Sequence, residues 1–268
     1  MYVMLAHRIV RNPGILAVTS RVESMANEEA VLEGLISIEA ALDAQSREVH
    51  TLLIRRDKRD PAVDRLAQRA RAAGAVVQRV DAESIAGRTT GQTHGGIIAL
   101  VGPRRFVSLE ALLGTSPTPC IVMLDGVEDP YNFGEATRSL YAAGVDGLVV
   151  RPRNWTTAAG VVGRASGGAS ERMPMAVAET ALDAAAFYKA RGLTVSCAVK
   201  RHAIPIYRAN LAIPLFLVIG GEKRGISRAL VEQADLLLQI PYGRAFAASL
   251  GTAAAATVMA FEIMRQKQ

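Results

Sequence analysis

Apolar and polar positions along this chain change period repeatedly, and each change marks a predicted element. Residues 28–44 read as a helix and the run 49–54 as a strand. Residues 61–73 predict a helix with Pro61 in its first turn, where a missing N–H is tolerated. A strand at 76–80, a short helix at 81–86 opened by a capping Asp81, and a strand at 96–101 follow. Alternating strands and helices of this length predict a compact three-layer α/β unit. Gly102-Pro103-Arg104-Arg105 breaks the pattern, and 113–119 carries Gly114, Ser116, Pro117 and Pro119. The chain therefore divides into a first domain at 1–105, a linker at 106–118 and a second domain at 119–268.

The second domain opens with a buried strand at 121–124, a loop, and a helix over about 132–143 stopped by Gly144. After a strand at 147–150, residues 151–172 read as irregular, basic and rich in small side chains, with Arg151, Arg153, Trp155, Arg164, Gly167 and Gly168. A helix at 181–190, a strand at 193–199, a strand at 215–219 behind Pro214, a helix at 227–233, a strand at 236–240 and an alanine-rich helix at 249–265 complete it. Strands separated by helices predict a mostly parallel sheet whose ligands bind at the carboxyl ends of the strands.

Composition narrows the class. The chain has 268 residues, half of them hydrophobic, with no run near the roughly 18 apolar residues of a membrane span. Its first eight residues lack the pattern of a secretion signal, which predicts a soluble, cytoplasmic protein. Cys120 and Cys197 each sit in an apolar strand-like run and read as reduced, buried thiols. His7, His50, His94 and His202 have no ligand spacing, so no metal site is expected. A net charge of +6 favours an acidic partner. Arg55, Arg56, Lys58 and Arg59 fall in one turn, followed by Arg65, Arg69, Arg71 and Arg79 and interrupted by Asp57, Asp60 and Asp64. That cluster reads either as a solvated face with local ion pairs or as a phosphate-contacting face.

Two distant segments concentrate the candidate chemistry: 124–138, with Asn132 and Arg138 just past a strand, and 219–225, running on to Ile240-Pro241 and Ser249-Leu250-Gly251. Gly220 to Ser227 reads G-G-E-K-R-G-I-S, with Ile226 where a phosphate-binding loop requires Lys, which excludes that ATP or GTP motif. No G-x-G-x-x-G follows a predicted strand. Asp125, Glu128 and Asp129 read as a magnesium cluster or, more simply, as a turn with helix-capping acids.

Asp129-Pro130-Tyr131-Asn132-Phe133-Gly134 with Arg138, Gly220-Gly221-Glu222 with Gly225, and Ile240-Pro241 with Ser249-Leu250 resemble the three motifs of the SpoU/TrmH branch of the SPOUT RNA methyltransferases. Their order and spacing agree across 120–265, and Arg164-Ala165-Ser166-Gly167-Gly168-Ala169 is similar to a segment between the first two motifs. Gly34, the run 49–54 and His94-Gly95-Gly96-Ile97 give the first domain a weaker likeness to the substrate-binding domain of many members, itself similar to a ribosomal protein.

The resemblance implies an α/β SPOUT domain with a parallel sheet and a trefoil knot, preceded by a smaller α/β domain. It implies S-adenosylmethionine as cofactor and 2′-O-ribose methylation of structured RNA, ribosomal RNA ahead of transfer RNA. It also implies a homodimer with the active site near the interface, where Ala253 to Ala256 and Ala260 would allow close packing; a tightly packed core helix is the plain alternative. Asn132, Arg138, Glu222 and Ser249 become the catalytic candidates. Arg138 would lie beside the ribose hydroxyl or a phosphate, donated by the partner subunit, and Asn132 would orient Arg138 or the ribose, or cap its helix. Glu222 would orient the substrate or the motif loop, and Ser249 would both cap the last helix and face the site. Gly220, Gly221, Ile240 and Leu250 are the cofactor candidates, although a tight turn alone explains the glycines. Arg55, Arg56, Lys58 and Arg59 are the RNA candidates. The chain departs from the pattern at Gly251, where the family carries Asn, and its 242–248 loop is slightly longer. That departure keeps a second reading open, an RNA-binding assembly factor without turnover, and the sequence does not separate housekeeping from antibiotic-resistance methylation.

Overall fold

The first sheet starts earlier than the periodicity predicts. In a computed structural model describing residues 29–89, 91, 93–152 and 158–268, Ala30–Glu33 form strand β1 rather than the first turns of a helix. Good helix formers are overridden by pairing, because β1 runs antiparallel to β4 (Ile97–Val101) and buries Ala30 and Leu32. Gly34, at φ 82°, ends the strand, and α1 (Leu35–Ala44) follows. Strand β2 (Val49–Arg55), α2 (Pro61–Ala72), β3 (Val76–Val80) and α3 (Ala82–Ala86) complete this unit. Asp60 caps α2 and Asp81 caps α3, each accepting a backbone N–H. The sheet order is β1-β4-β2-β3, with only β2 and β3 parallel. Leu52, Ile54, Ile97 and Ala99 face α1 and α2, while Leu53 and Ile98 meet Ile85 of α3 on the other side.

Residues 106–118 lie along the second unit. Val107 N–H donates to the Met175 carbonyl at 2.9 Å. Leu112 is buried over Gly147, where a Cβ would stand 2.7 Å from the leucine Cδ2.

The second unit comprises β5 (Cys120–Asp125), α4 (Pro130–Ala142), β6 (Gly147–Val150), α5 (Ala159–Ala165), α6 (Ala169–Arg172), β7 (Met175–Val177) and α7 (Ala181–Lys189). It continues through β8 (Thr194–Ala198), β9 (Ile204–Pro205), β10 (Leu215–Gly220), α8 (Arg228–Gln233), β11 (Leu236–Gln239) and α9 (Thr252–Lys267). Its seven strands are ordered β7-β6-β5-β10-β8-β11-β9 and every pairing is parallel. The apolar runs of β5 and β10 follow from burial on both faces. Val122, Leu124, Leu217 and Ile219 pack under α4 and α9, and Ile121, Met123, Phe216 and Val218 under α7 and α8. Ala256 and Ala260 of α9 are buried in that core, and Thr257 Oγ1 donates to Ser139 Oγ of α4 at 2.7 Å. Those two alanines thus serve packing within the subunit. The thiols of Cys120 and Cys197 are free and buried, and burial pushes both up to about 12.

The 151–172 stretch is not irregular throughout. Residues Ala159–Ala165 and Ala169–Arg172 are helical, while Arg153 and Trp155 lie outside the described residues. Gly160 and Gly163 are where the first unit docks. A Cβ on Gly160 would stand 2.5 Å from Glu33 Oε1, and one on Gly163 3.0 Å from Ser37 Oγ. Charge completes the contact: Arg164 pairs with Glu33, and Asp43 takes Arg69 and Arg172. Glu171 accepts from Ser46 Oγ at 2.6 Å, Arg47 at 3.1 Å and Arg104 at 3.2 Å. Burial opposes ionisation of Glu171, but Arg47, Arg104 and the Ser46 hydroxyl together hold its carboxyl below the usual carboxylate range. Burial also draws Arg104 down to about 10.

Removing one member of a buried charge cluster leaves the others uncompensated. Glu171→Gln is expected to lower the free energy of unfolding by about 3–5 kcal/mol in urea titrations. Because the folded carboxyl lies below its unfolded value, its contribution is complete above the ordinary Glu range and is lost as pH falls through the depressed value. A variant as stable as the parent at neutral pH would show that the cluster does not hold the units together.

Candidate functional site

The two motif segments meet backbone to backbone. Gly221 N–H donates to the Asp125 carbonyl at 2.7 Å, and Gly225 N–H closes the turn onto the Gly221 carbonyl at 3.0 Å. A Cβ at Gly221 would stand 2.1 Å from the Gly126 carbonyl oxygen, and one at Gly220 2.6 Å from the Gly225 carbonyl carbon. Glycine is required at both positions by chain against chain, independently of any ligand. The junction lies at the carboxyl ends of β5 and β10, the end of a parallel sheet where ligand sites form.

Beside it a cavity of about 320 Å³ opens at the ends of β8, β10 and β11. Its walls bring together six of the candidates: Gly220, Gly221, Glu222, Ile240, Ser249 and Leu250. Ile226 and Met259 add apolar surface, and Lys200 adds a cation. Asn132 reaches its rim, where its Nδ2 donates to Glu222 Oε1 at 3.0 Å. The cap of α4 is not Asn132 but Asp129, whose carboxylate accepts the Asn132 N–H at 2.7 Å. With the cap provided by its neighbour, the Asn132 amide is turned to Glu222 and not to Arg138.

Ser249 does not cap the last helix. Helix α9 begins at Thr252, Gly251 holds the cap position without a side-chain bond, and Ser249 is exposed. The preceding loop is tied down where Leu250 N–H donates to the Tyr242 hydroxyl at 3.0 Å and the Lys200 ammonium donates to the Ala247 carbonyl. Thr252 Oγ1 then ties the helix start to the Gly220 carbonyl at 3.2 Å. A Cβ on Gly251 would lie 3.3 Å from Glu222 Oε1, so the missing Asn side chain belongs beside Glu222.

Arg138 is absent from the lining of this cavity. It faces a larger cleft of about 780 Å³ between the two units, which Gly34, Lys58 and His94 line from the first unit and Arg164 and Gly167 from the second. Arg138 is exposed and lies over Gly167, where a Cβ would stand 3.6 Å from its Cζ. Of the basic turn, Lys58 enters the cleft, Arg55 pairs with Asp57 at 2.6 Å, and Arg59 donates to the Arg56 carbonyl at 2.9 Å. Asp64 pairs with Arg79 of β3 at 3.1 Å instead of with a neighbour on its own helix. Of the acids, Glu128 pairs with Lys223 at 2.7 Å. Burial pushes the Asp125 carboxyl up, opposed by Arg151 at 3.5 Å. Among the described residues no cluster of His, Cys, Asp or Glu is placed to hold a metal. Among them, too, no helix is long and apolar enough to cross a membrane.

Sequence reasoning missed Lys200 and Met259, which reach the cavity from the end of β8 and from α9. Only the strand order brings these elements beside the glycine turn, and no local pattern carries that signal.

Residues 119–261 match the SpoU rRNA Methylase family, and residues 31–107 match the RNA 2′-O ribose methyltransferase substrate binding family. The chain is 32% identical over 225 residues to the 23S rRNA (guanosine-2′-O-)-methyltransferase RlmB of Haemophilus ducreyi, covering 82% of this chain and 89% of the relative. The protein of the same name from Shewanella oneidensis is 26% identical over 244 residues, covering 90% and 99%. An AdoMet-bound rRNA methyltransferase from Sinorhizobium meliloti shares the fold with a TM-score of 0.76, at 23% identity over 97% of both chains.

The backbone junction predicts that Gly221→Ala destabilises the protein by about 1–3 kcal/mol or more, as thermal unfolding would measure, because the Gly126 backbone cannot yield as a side chain can. A neutral result would show that the junction has slack. Gly251→Asn is expected to raise stability by a few tenths of a kcal/mol through helix capping, with the exposed Glu222 side chain shifting to make room. A clear loss in the same unfolding experiment would show that Glu222 is held rigidly.

Proposed function

The chain belongs to the SpoU rRNA Methylase family, and on that premise we propose that it transfers the methyl group of S-adenosylmethionine to a ribose 2′-hydroxyl of large-subunit ribosomal RNA. The observation that carries the reading is the cavity at the strand ends, walled by Ile226, Ile240, Leu250 and Met259 and rimmed by the Asn132–Glu222 pair. Apolar walls suit an adenine, and the Glu222 carboxylate suits a sulfonium. When bound, the cofactor supplies an electrophilic methyl group. The activity named for the relatives supports the rRNA substrate, and the match over 31–107 supports a first unit that grips RNA. Compartment follows from substrate, in the cytoplasm with the ribosome.

In-line displacement requires the hydroxyl to be held in register while it loses its proton. Arg138 keeps its own proton, so its role is to stabilise developing charge and fix the acceptor, with the hydroxyl proton passing to phosphate or water. Within one subunit Arg138 faces the interdomain cleft. We therefore read the active unit as a homodimer in which Arg138 of the partner subunit meets the cofactor cavity. The return of α9 from β11 to pack on α4 supports a knotted chain. The Asn132–Glu222 hydrogen bond forms with Gly251 in place, which supports turnover despite that departure.

The test is transfer of radiolabelled methyl from S-adenosylmethionine to total RNA of a strain lacking the gene, with large rRNA, small rRNA and tRNA then separated. Label confined to large rRNA is expected; label in tRNA overturns the substrate and no label overturns the reaction. Arg138→Ala is expected to slow transfer about 10²–10³-fold and to leave S-adenosylhomocysteine affinity in calorimetry unchanged, since the residue acts on the acceptor hydroxyl and not on the cofactor. A large loss of that affinity would overturn the assignment.

A further inference from the structure

The loop between β11 and α9 presents more than a cavity wall. Tyr242 is 36% exposed and Phe246 59% exposed, with ring centroids 6.1 Å apart and planes inclined at 53°, a tilted contact that leaves ring surface open on Phe246. A single exposed aromatic residue needs no explanation. Here, however, the two rings border a hollow of about 620 Å³ that is also lined by Lys200, Arg201 and Arg244 and by no carboxylate. Arg201 and Arg244 have no hydrogen bond or ion pair among the described residues, whereas Arg55, Arg69, Arg79 and Arg191 all pair with acids. The loop is tied at two points, Tyr242 hydroxyl to Leu250 N–H at 3.0 Å and Lys200 to the Ala247 carbonyl, so Phe246 and Arg244 are carried on a tethered span. Lys200, Ile240 and Tyr242 also line the cofactor cavity, which makes the hollow its immediate neighbour.

Open aromatic faces beside uncompensated cations match the chemistry of unpaired RNA, whose bases stack and whose phosphates need positive charge. We propose that Phe246, with Arg201 and Arg244, binds an unpaired stretch of the RNA substrate next to the nucleotide being modified. The proposal rests on the RNA methyl-transfer reading above and adds a second RNA contact to the one expected of the first unit. Base stacking supplies grip that tolerates sequence, and the two arginines follow the backbone. The added length of the 242–248 loop then acquires a use, holding Phe246 out beyond the cofactor wall.

The experiment uses the full chain. Phe246→Ala and the double variant Arg201→Ala/Arg244→Ala are compared with the parent for methyl transfer to rRNA, S-adenosylhomocysteine affinity, oligomeric state, and binding of an eight-nucleotide oligouridylate by fluorescence anisotropy across a salt series. Phe246→Ala is expected to raise KM for RNA about fivefold or more with cofactor affinity unchanged. Each lost cation contact is expected to flatten the slope of log affinity against log salt by about 0.7. Phe246→Leu, which keeps the bulk without the ring, is expected to behave like Phe246→Ala. Active variants with parental KM and parental oligouridylate binding overturn the proposal and leave the methyltransferase reading intact. A change of oligomeric state without loss of oligouridylate binding also overturns it, assigning the surface to a second copy of this chain. A parent that methylates no RNA instead overturns the reading on which the proposal stands.

Discussion

The site exists because two backbones approach more closely than any side chain allows. The turn after β10 lies on the loop after β5, and the space between Gly221 and the Gly126 carbonyl cannot hold a methyl group. This contact sets the distance from α4 to the motif turn, and with it the hydrogen bond from Asn132 to Glu222. It also anchors the start of α9 through Thr252 and the Gly220 carbonyl. A wider junction would separate the polar rim from the apolar cavity. The motif glycines therefore act first on the protein's own architecture, and the pocket is its by-product.

The joint between the two units follows a different logic. Matched charges and glycine clearances fix it, around Ala159 buried in the first unit's core. Glu33, Asp43 and Glu171 each take arginines across or beside the joint, and Gly160 and Gly163 let α5 seat against Glu33 and Ser37. Charges so placed add little net stability over an apolar joint, but a displaced joint would strand them without partners. The cleft carrying Lys58, His94 and Arg138 has walls from both units, so its width depends on this registration.

Much of the fold was legible in residue order. Strands β2, β5, β8 and β10 stand out as apolar runs, and Asp81, Gly144 and Pro61 mark helix ends where local chemistry demands them. What escaped depended on partners far along the chain. Residues 30–33 are helix formers recruited as a strand by β4, and Gly160 and Gly163 sit in a helix because another unit needs the room. The site shows the same division. Motif spacing marked Gly220, Gly221, Glu222, Ile240 and Leu250, which share one cavity, but left Asn132 open between Arg138, the ribose and a helix cap, when its amide is taken by Glu222. Ser249 carried a cap signal that the tethered loop overrides, and Arg138 faces a cleft that only the docking of two units creates.

The position of β10 has a consequence for how the chain acquires its shape. Leu215 pairs with Cys120 and with Thr194, so the centre of the parallel sheet is closed by a strand made long after its neighbour. The first unit finds all its strand partners before residue 102. During synthesis it can complete itself while the second unit still waits with β5 and β8 open along one side. Non-local pairing of this kind slows folding, and unpaired apolar strands are prone to join other chains. The assembly order is thus written into the topology: an early unit that can shelter nothing else, and a late one that becomes safe only when its sixth strand is inserted.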